Sequence, residues 1–408
     1  MPKLIMVTGN HLLAPQQTGG GPDSALTVEK FQDEGWEVFL VSDEPKNEYP
    51  SLDRDRNIVV PPSRFKHFGQ IRKIGVLFRH LDHHAATKSL LAAARKVMGG
   101  DAENTVLYAS EVHSVEACRR LARKTGAPLV TRFHGTVLPD IPNTWLQRFR
   151  RYPHFQALST KADLVVMTDD GTFGAKVLSD LGNDSPTLFL RNGLELMERD
   201  LPAMKAAFDR NAFRASLGVE EDELMFLTIS RLVNWKRVDR AIDGFAGFCR
   251  RGLRGRLVIV GGGDDRARLE RCVNEHGIAD RVIFTGAVPH DDVYDYLMAC
   301  DVFMSFYDLS NVGNPLLEAM TLGKCIVTLD EGDTRSLIRD RENGILLTRE
   351  ALPSLGGVLA ELAGDAALRE RLGAAAGAYA QEHFYSWTKR MDIEFQAVSK
   401  LLKKNPHA

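Results

Sequence analysis

Two successive alternations of strand and helix predict an α/β chain built from two parallel-sheet domains. Three observations carry this. Residues 3–190 alternate apolar runs of strand length with helical patterns. Glu195–Glu223 is charged, helical in pattern and without strand character, as a connection between domains would be. From Leu224 to Leu347 a second alternation follows. The predicted division is 1–194, a connection over 195–222, a second domain over 223–380 and a final segment 381–408. The 408 residues suit two or three domains with ample core.

Composition narrows the function classes. The chain is 44% hydrophobic and 26% charged, with a formal net charge of -2. Neither a polyanion preference nor a nucleic-acid stripe follows from this. The cysteines, Cys118, Cys249, Cys272, Cys300 and Cys325, form no C-x-x-C pair and are odd in number, so reduced and mostly buried thiols are expected. MPKLIMV is too short for a signal-peptide core and reads as a first strand. No apolar run reaches transmembrane length. A cytoplasmic protein is expected.

In the first domain, Lys3–Thr8 is a strand, Gln16–Asp23 a Gly-rich loop, Ser24–Glu34 a helix ending at Gly35, and Glu37–Val41 the next strand. Gly19, Gly20 and Gly21 would let the backbone approach a ligand ahead of a helix N-terminus. Asp53-Arg54-Asp55 matches a D-x-D metal string, but it stands in a polar segment without further ligands, so chance is the better account. Ser63–His80 has no acid and mixes Arg64, Lys66, Arg72, Lys73 and Arg79 with apolar residues. It would suit a solvated face, or peripheral contact with an anionic membrane surface. His80, Asp82, His83 and His84 share a helix, but no second ligand cluster accompanies them, and structural histidines are expected. Leu90–Met98 continues that helix. Thr105–Ala109, a helix from Ser110 or Glu111 to Thr125, and Pro128–Phe133 form another βαβ unit. It delivers His134 just beyond a strand's carboxyl end, where open α/β sheets bind ligands. Asp163–Thr168, Gly171–Leu181 and Thr187–Leu190 complete the alternation.

In the second domain the predicted order is strand Leu224–Ile229, a loop, helix Val238–Arg250, strand Arg256–Val260 with Gly261-Gly262-Gly263, helix Asp264–His276, strand Val282–Thr285 and helix Asp291–Ala299. Next comes the stretch DVFMSFYDLSNVGNPLLEAM, Asp301–Met320: a strand, a polar loop and a short helix. Asn314 is the expected cap, Pro315 suits the first turn and Gly323 the end. A helix N-terminus so placed is an anion site, and Glu318, one turn in, could accept hydrogen bonds from ribose hydroxyls. Strands Cys325–Leu329 and Gly344–Leu347 close the sheet. Ala351–Phe384 reads as helices, and Ser386–Leu402 as a terminal amphipathic helix.

Arg231 and Lys236 lie on one loop, after the first strand of the second domain. With the N-terminus at Asn314–Leu317 they could neutralise a diphosphate without a metal.

LTISRLVNWKRVDRAIDGF, LVIVGGGDDRARLE, RVIFTGAVPHDDVYDYLMACDVFMSF and NPLLEAM, in this order, resemble the second domain of retaining glycosyltransferases of family four. The N-terminal Gly loop, FHGT, the RNG turn and FYSWTKR extend the resemblance, more loosely, over nearly the whole chain. It implies a GT-B fold: two facing Rossmann-like domains with an interdomain cleft, the second holding the donor nucleotide, and a final helix returning to the first. It implies that Arg231 and Lys236 bind the donor diphosphate and that Glu318 binds the ribose. Gly313, Asn314, Leu316 and Leu317 would contact phosphate or sugar through the backbone, and Val288 would lie near the base. Gly20 and Gly21 would approach the diphosphate, and His134 the donor sugar. One departure stands out. Family members often carry two glutamates here; Glu318 matches the second, and Ser310 replaces the first. Asp308 is the neighbouring carboxylate that could substitute.

The expected activity is therefore transfer of a sugar from a nucleotide diphosphate sugar, UDP before GDP, to an acceptor hydroxyl with retention of configuration and no metal. The acceptor would be a glycan, a lipid-linked molecule or a small molecule. A degenerate nucleotide-sugar binder, suggested by Ser310, and a nucleotide-sugar epimerase are the rival readings.

Overall fold

The computed structural model describes residues 1–9, 23–44, 51–65 and 75–403. These form two compact units: residues 1–192 with 387–408, and Gly193–Ser386. Elements are numbered in chain order.

Unit 1 is organised on a parallel sheet of order β3-β2-β1-β4-β5-β6-β7. Its strands are β1 Lys3–Thr8, β2 Glu37–Ser42, β3 Asn57–Val59, β4 Thr105–Ser110, β5 Leu129–Phe133, β6 Leu164–Thr168 and β7 Thr187–Leu190. Strand β1 runs in register with β2 on one side and β4 on the other. Its alternating side chains build both layers of the core. Ile5 and Val7 pack with Leu90 and Cys118 of helices α2 (Gly75–Met98) and α3 (Val115–Thr125). Leu4 and Met6 pack with Phe31 of α1 (Asp23–Asp33) and Val398 of the last helix, α15 (Trp387–Lys403). Runs buried on both faces are what a parallel sheet covered by helices requires.

A buried polar knot fixes α15. Arg390 Nη1 lies 2.8 Å from Glu394 Oε2, and both side chains are fully buried. Tyr108 on β4 and Thr27 on α1 donate to Glu394 Oε1 at 2.6 and 3.1 Å.

Two short helices, α4 (Trp145–Arg150) and α5 (Tyr152–Leu158), lie in a stretch that carries no helical expectation. Thr144 caps α4 through the Gln147 amide, and Pro153 occupies the first turn of α5. Helix α3 starts at Val115, later than expected, because Glu111 takes a left-handed conformation, φ 69°, and turns the chain first. Helix α6 spans Gly174–Asp180.

Unit 2 has a parallel sheet of order β10-β9-β8-β11-β12-β13. The strands are β8 Leu224–Ile229, β9 Gly255–Val260, β10 Val282–Gly286, β11 Val302–Ser305, β12 Cys325–Leu329 and β13 Ile345–Leu347. Residues 195–222 are built into this unit. They form α7 (Leu201–Ala207) and α8 (Arg210–Ser216), and the buried Arg214 ties α8 to Asp301 at 3.0 Å. Helices α9 (Val238–Cys249), α10 (Arg266–Glu275), α11 (His290–Ala299), α12 (Asn314–Thr321), α13 (Leu355–Gly364) and α14 (Ala366–His383) cover the sheet. Gly261 and Gly263 follow β9 at φ 135° and 154°; a Cβ on Gly261 would stand 1.8 Å from the Ser230 carbonyl oxygen. That close approach joins the loop after β9 to the loop after β8.

All five cysteines are free thiols. Among the described residues no single helix is long and apolar enough to cross a membrane.

Candidate functional site

In each sheet the strand order reverses once, between β1 and β4 and between β8 and β11. Loops leaving the carboxyl ends of strands at such a point diverge and open a crevice, the usual ligand position in open α/β sheets.

At the reversal in unit 2, the loop after β8 carries Arg231 and Lys236. Arg231 is exposed, and its side chain makes no hydrogen bond or ion pair among the described residues. Lys236 ends a single 3-10 turn, Asn234–Lys236. Its ammonium lies 3.7 Å from the centroid of the Tyr307 ring and 4.2 Å from that of Trp235. Such cation–π contacts hold the ammonium over the two rings, on the loop after β8. Tyr307 is itself pinned: its hydroxyl donates to the Ile229 carbonyl at 2.9 Å, and burial pushes its pKa up. The two loops are also tied by the Asp308 amide, which donates to the Trp235 carbonyl at 3.0 Å.

The loop after β11 is organised by Asn311, a buried side chain that composition and motif reading passed over. It accepts from the Tyr307 amide at 3.0 Å and donates to the Leu329 carbonyl at 2.9 Å. Ser310 turns inward on the chain, its Oγ accepting from the Val312 amide at 3.1 Å. Asp308 does not supply a spare carboxylate: Arg240 holds it at 2.7 Å and Arg237 stands 3.5 Å away. Helix α12 begins at Asn314, so the cap position falls to the extended Gly313, with no side-chain cap, and not to Asn314. Leu316 and Leu317 both donate to the Gly313 carbonyl, at 3.0 and 3.1 Å, so this first turn offers fewer amides than a plain N-terminus.

Glu318 is buried at the start of α12, 3% exposed, and its Oε1 lies 3.0 Å from His290 Nε2. The Glu318 hydrogen bond holds the His290 pKa above its ordinary value, outweighing the burial that opposes it. Tyr294 reaches His290 Nδ1 from the other side at 3.4 Å. Val288, beyond the β10 strand end, is half-buried and packs on the same core. Unit 2 thus brings Arg231, Lys236, Ser310, Gly313, Asn314, Leu316, Leu317, Glu318 and Val288 to the carboxyl ends of its strands.

Unit 1 places His134 at the carboxyl end of β5. Its amide donates to Glu111 Oε1 at 2.9 Å, and its Nδ1 contacts the same oxygen. A carboxylate there assigns the proton to Nδ1. Burial pushes the Glu111 carboxyl up, but His134 and then Arg132 outweigh it, and its pKa lies below the ordinary value. Beneath the next residue sits Asp170: a Cβ on Gly135 would be 2.0 Å from its Oδ2. Burial raises the Asp170 pKa to about 6 against hydrogen bonds from Thr172. Glu111 and Asp170 stand just past β4 and β6, so the strand-end rule that singles out His134 would have found both. Gly20 and Gly21, and residues 66–74 of the basic stretch, lie outside the described residues.

The metal readings separate in the structure. His80 bonds to the Phe149 carbonyl, and His83 is buried. Asp53 and Asp55 are exposed on a turn. Among the described residues, Asp243, Cys272 and His276 lie close enough to share an ion, on α9 and at the end of α10; Asp243 and His276 satisfy one another at 2.8 Å.

Residues 209–378 match the family Glycosyl transferases group 1. The chain is similar to alpha-D-kanosaminyltransferase of Streptomyces kanamyceticus, 25% identical over 62% of this chain and 65% of that protein. It is also similar to a GDP-mannose-dependent alpha-(1-6)-phosphatidylinositol monomannoside mannosyltransferase of Mycobacterium tuberculosis, 28% identical over 36% of this chain and 40% of that protein. The chain therefore spans less than two thirds of the length of these curated relatives. Sucrose-phosphate synthase from Thermosynechococcus elongatus superimposes with a TM-score of 0.76 at 17% identity, over 99% of this chain and 100% of that one. Anabaena HepE in complex with UDP-glucose gives 0.70 at 19% identity, over 99% and 100%. The fold is GT-B.

Proposed function

We propose, from the match of residues 209–378 to the family Glycosyl transferases group 1, that the chain transfers a sugar from a nucleotide diphosphate sugar to an acceptor hydroxyl. The observation that carries the reading is the Lys236 ammonium, held over the Tyr307 ring at the β8/β11 reversal with the exposed Arg231 on the same loop. Arg231 and Lys236 are assigned to the diphosphate, and the backbone of Gly313–Leu317 to phosphate or donor sugar. Glu318 is assigned to the ribose and Val288 to the neighbourhood of the base. On unit 1, His134 is assigned to the donor sugar.

The bond from the anomeric carbon to the diphosphate oxygen breaks as the bond to the acceptor oxygen forms on the same face. The leaving oxygen takes the acceptor's proton, so configuration is retained. Charge develops on the diphosphate as it leaves, and the two cations on this loop stabilise that charge more than the ground state. Each charge-assisted contact is worth roughly 1.5–3 kcal/mol. The two cations are assigned the charge-neutralising part that a divalent ion could otherwise play. UDP is favoured as the nucleotide over GDP, consistent with the UDP-glucose bound by the similar HepE. A glycan, lipid-linked or small-molecule acceptor and a cytoplasmic setting complete the proposal.

With Ser310 in place of a glutamate and Asp308 held by Arg240, the sugar loop has no spare carboxylate. Donor-sugar contacts there fall to hydroxyl and backbone groups. The same feature favours the rival reading as a binder, and turnover separates the two. Arg231→Ala and Lys236→Ala should each lose at least about tenfold in kcat/KM, one charge-assisted bond's worth, with folding intact. Full activity in both would overturn the assignment.

A further inference from the structure

Unit 1 carries a second surface, used neither by His134 nor by the proposed donor site. Helix α4 and the start of α2 meet at His80. Its ring stacks on Phe149 with centroids 4.6 Å apart, and its Nε2 lies 2.6 Å from the Phe149 carbonyl oxygen. Around this junction large apolar side chains stand in solvent: Trp145 is 78% exposed, Leu77 56% and Leu81 47%. Leu146, Phe149 and Tyr152 are each more than a third exposed. Single exposed apolar residues need no explanation; six around one junction do.

On the segment that carries α4 and α5 the charge has one sign, and on α2 Asp82 follows Leu81. Residues 141–156, IPNTWLQRFRRYPHFQ, contain Arg148, Arg150 and Arg151 and no carboxylate, and all three arginines are exposed. Against the patch a cavity of about 980 Å³ opens between α3 and α5. Its lining includes Arg123 and Arg148, neither of which has a carboxylate partner among the described residues. The carboxylates in the lining are engaged: Glu116 by Arg119, Arg120 and Gln156, and Asp163 by the Leu129 amide. Leu129 and Asp163 mark the amino ends of β5 and β6. The cavity therefore lies at the opposite end of the sheet from His134.

We propose that this face docks on an anionic phospholipid surface. Trp145, Leu77 and Leu81 enter the boundary between headgroups and chains, and Arg148, Arg150 and Arg151 take the phosphates. Tryptophan and tyrosine on short helices beside arginine are the composition of an interfacial contact. A second copy of the chain is a poorer occupant, because a two-fold interface would set the same arginines against one another. The surface differs from the basic stretch Ser63–His80 and shares only its end, Leu77–His80.

Co-sedimentation with vesicles tests this without any donor turnover. The protein should bind vesicles of mixed phosphatidylcholine and phosphatidylglycerol, not phosphatidylcholine alone, and release at high salt. Arg150→Glu with Arg151→Glu should weaken binding about thirtyfold or more, from roughly fivefold per basic residue. Trp145→Ala should weaken it roughly tenfold. Nucleotide release in solution and thermal unfolding should stay as in the wild type. Absence of binding to anionic vesicles, or binding unmoved by both variants, would overturn the proposal. So would a self-association abolished by Trp145→Ala, which would assign the patch to a second copy.

Discussion

Replacing Glu318 by glutamine should weaken unit 2 on the acid side and hardly at all on the alkaline side. Glu318 is buried, and its carboxylate meets His290 Nε2 at 3.0 Å. That hydrogen bond, with the nearby Glu195 and Asp291 charges adding to it, holds His290 above its ordinary pKa against its partial burial. A base raised in the folded state adds stability that is complete below its unfolded value, about 6.5, and is lost as pH rises through the folded value. A hydrogen bond to a charged group is worth about 1.5–3 kcal/mol when shielded. The His290 side chain is 44% exposed, so screening reduces this toward about 1 kcal/mol. Glutamine keeps a neutral acceptor of the same shape. Urea unfolding followed by Trp235 emission, at about pH 5 and about pH 9, should show a loss near 1 kcal/mol at the first and a few tenths at the second. Equal losses at both values, or a larger loss in alkali, would refute the pairing as the source of the shift.

Three further outcomes follow from buried groups. Glu394→Gln should cost unit 1 about 3–5 kcal/mol, because it leaves Arg390 buried without its counter-charge and disturbs the Tyr108 and Thr27 bonds. The urea midpoint reads this, and the double replacement Arg390→Met with Glu394→Leu should recover most of it. His83 is 5% exposed, neither ring nitrogen has a hydrogen-bond partner among the described residues, and burial with the neighbouring His113 lowers its pKa to about 4. Between about pH 6.5 and pH 4 the unfolded chain binds a proton that the folded chain refuses, so stability falls as pH falls. His83→Phe should remove roughly 3 kcal/mol of that acid loss in a series of melting curves. Gly261→Ala should cost several kcal/mol, since its Cβ would overlap the Ser230 carbonyl at a φ of 135°, and soluble yield with urea unfolding of unit 2 checks it.

Much of the fold is legible before any coordinates. Lys3–Thr8, Leu224–Ile229 and Cys325–Leu329 are strands at the expected residues, because runs buried on both faces of a parallel sheet are continuous and end at turn residues. Helix α4 is not legible: Trp145 and Phe149 point to solvent, so no apolar stripe marks it. Motif spacing singles out Arg231, Lys236 and Glu318. It does not single out Tyr307, Asn311 or His290, which act on them through tertiary contacts: a ring under an ammonium, an amide bridging two loops, an imidazole on a buried carboxylate. Asp308 shows the reverse. It reads as a spare carboxylate beside Ser310, and only the packing of α9 against the loop shows that Arg240 holds it.

The most direct test of the central claim is nucleotide release from a panel of UDP- and GDP-sugars, each with and without EDTA. The account predicts release from one donor, unchanged by EDTA and lost in Lys236→Ala. No release from any donor, together with no thermal stabilisation by UDP or GDP, would contradict it.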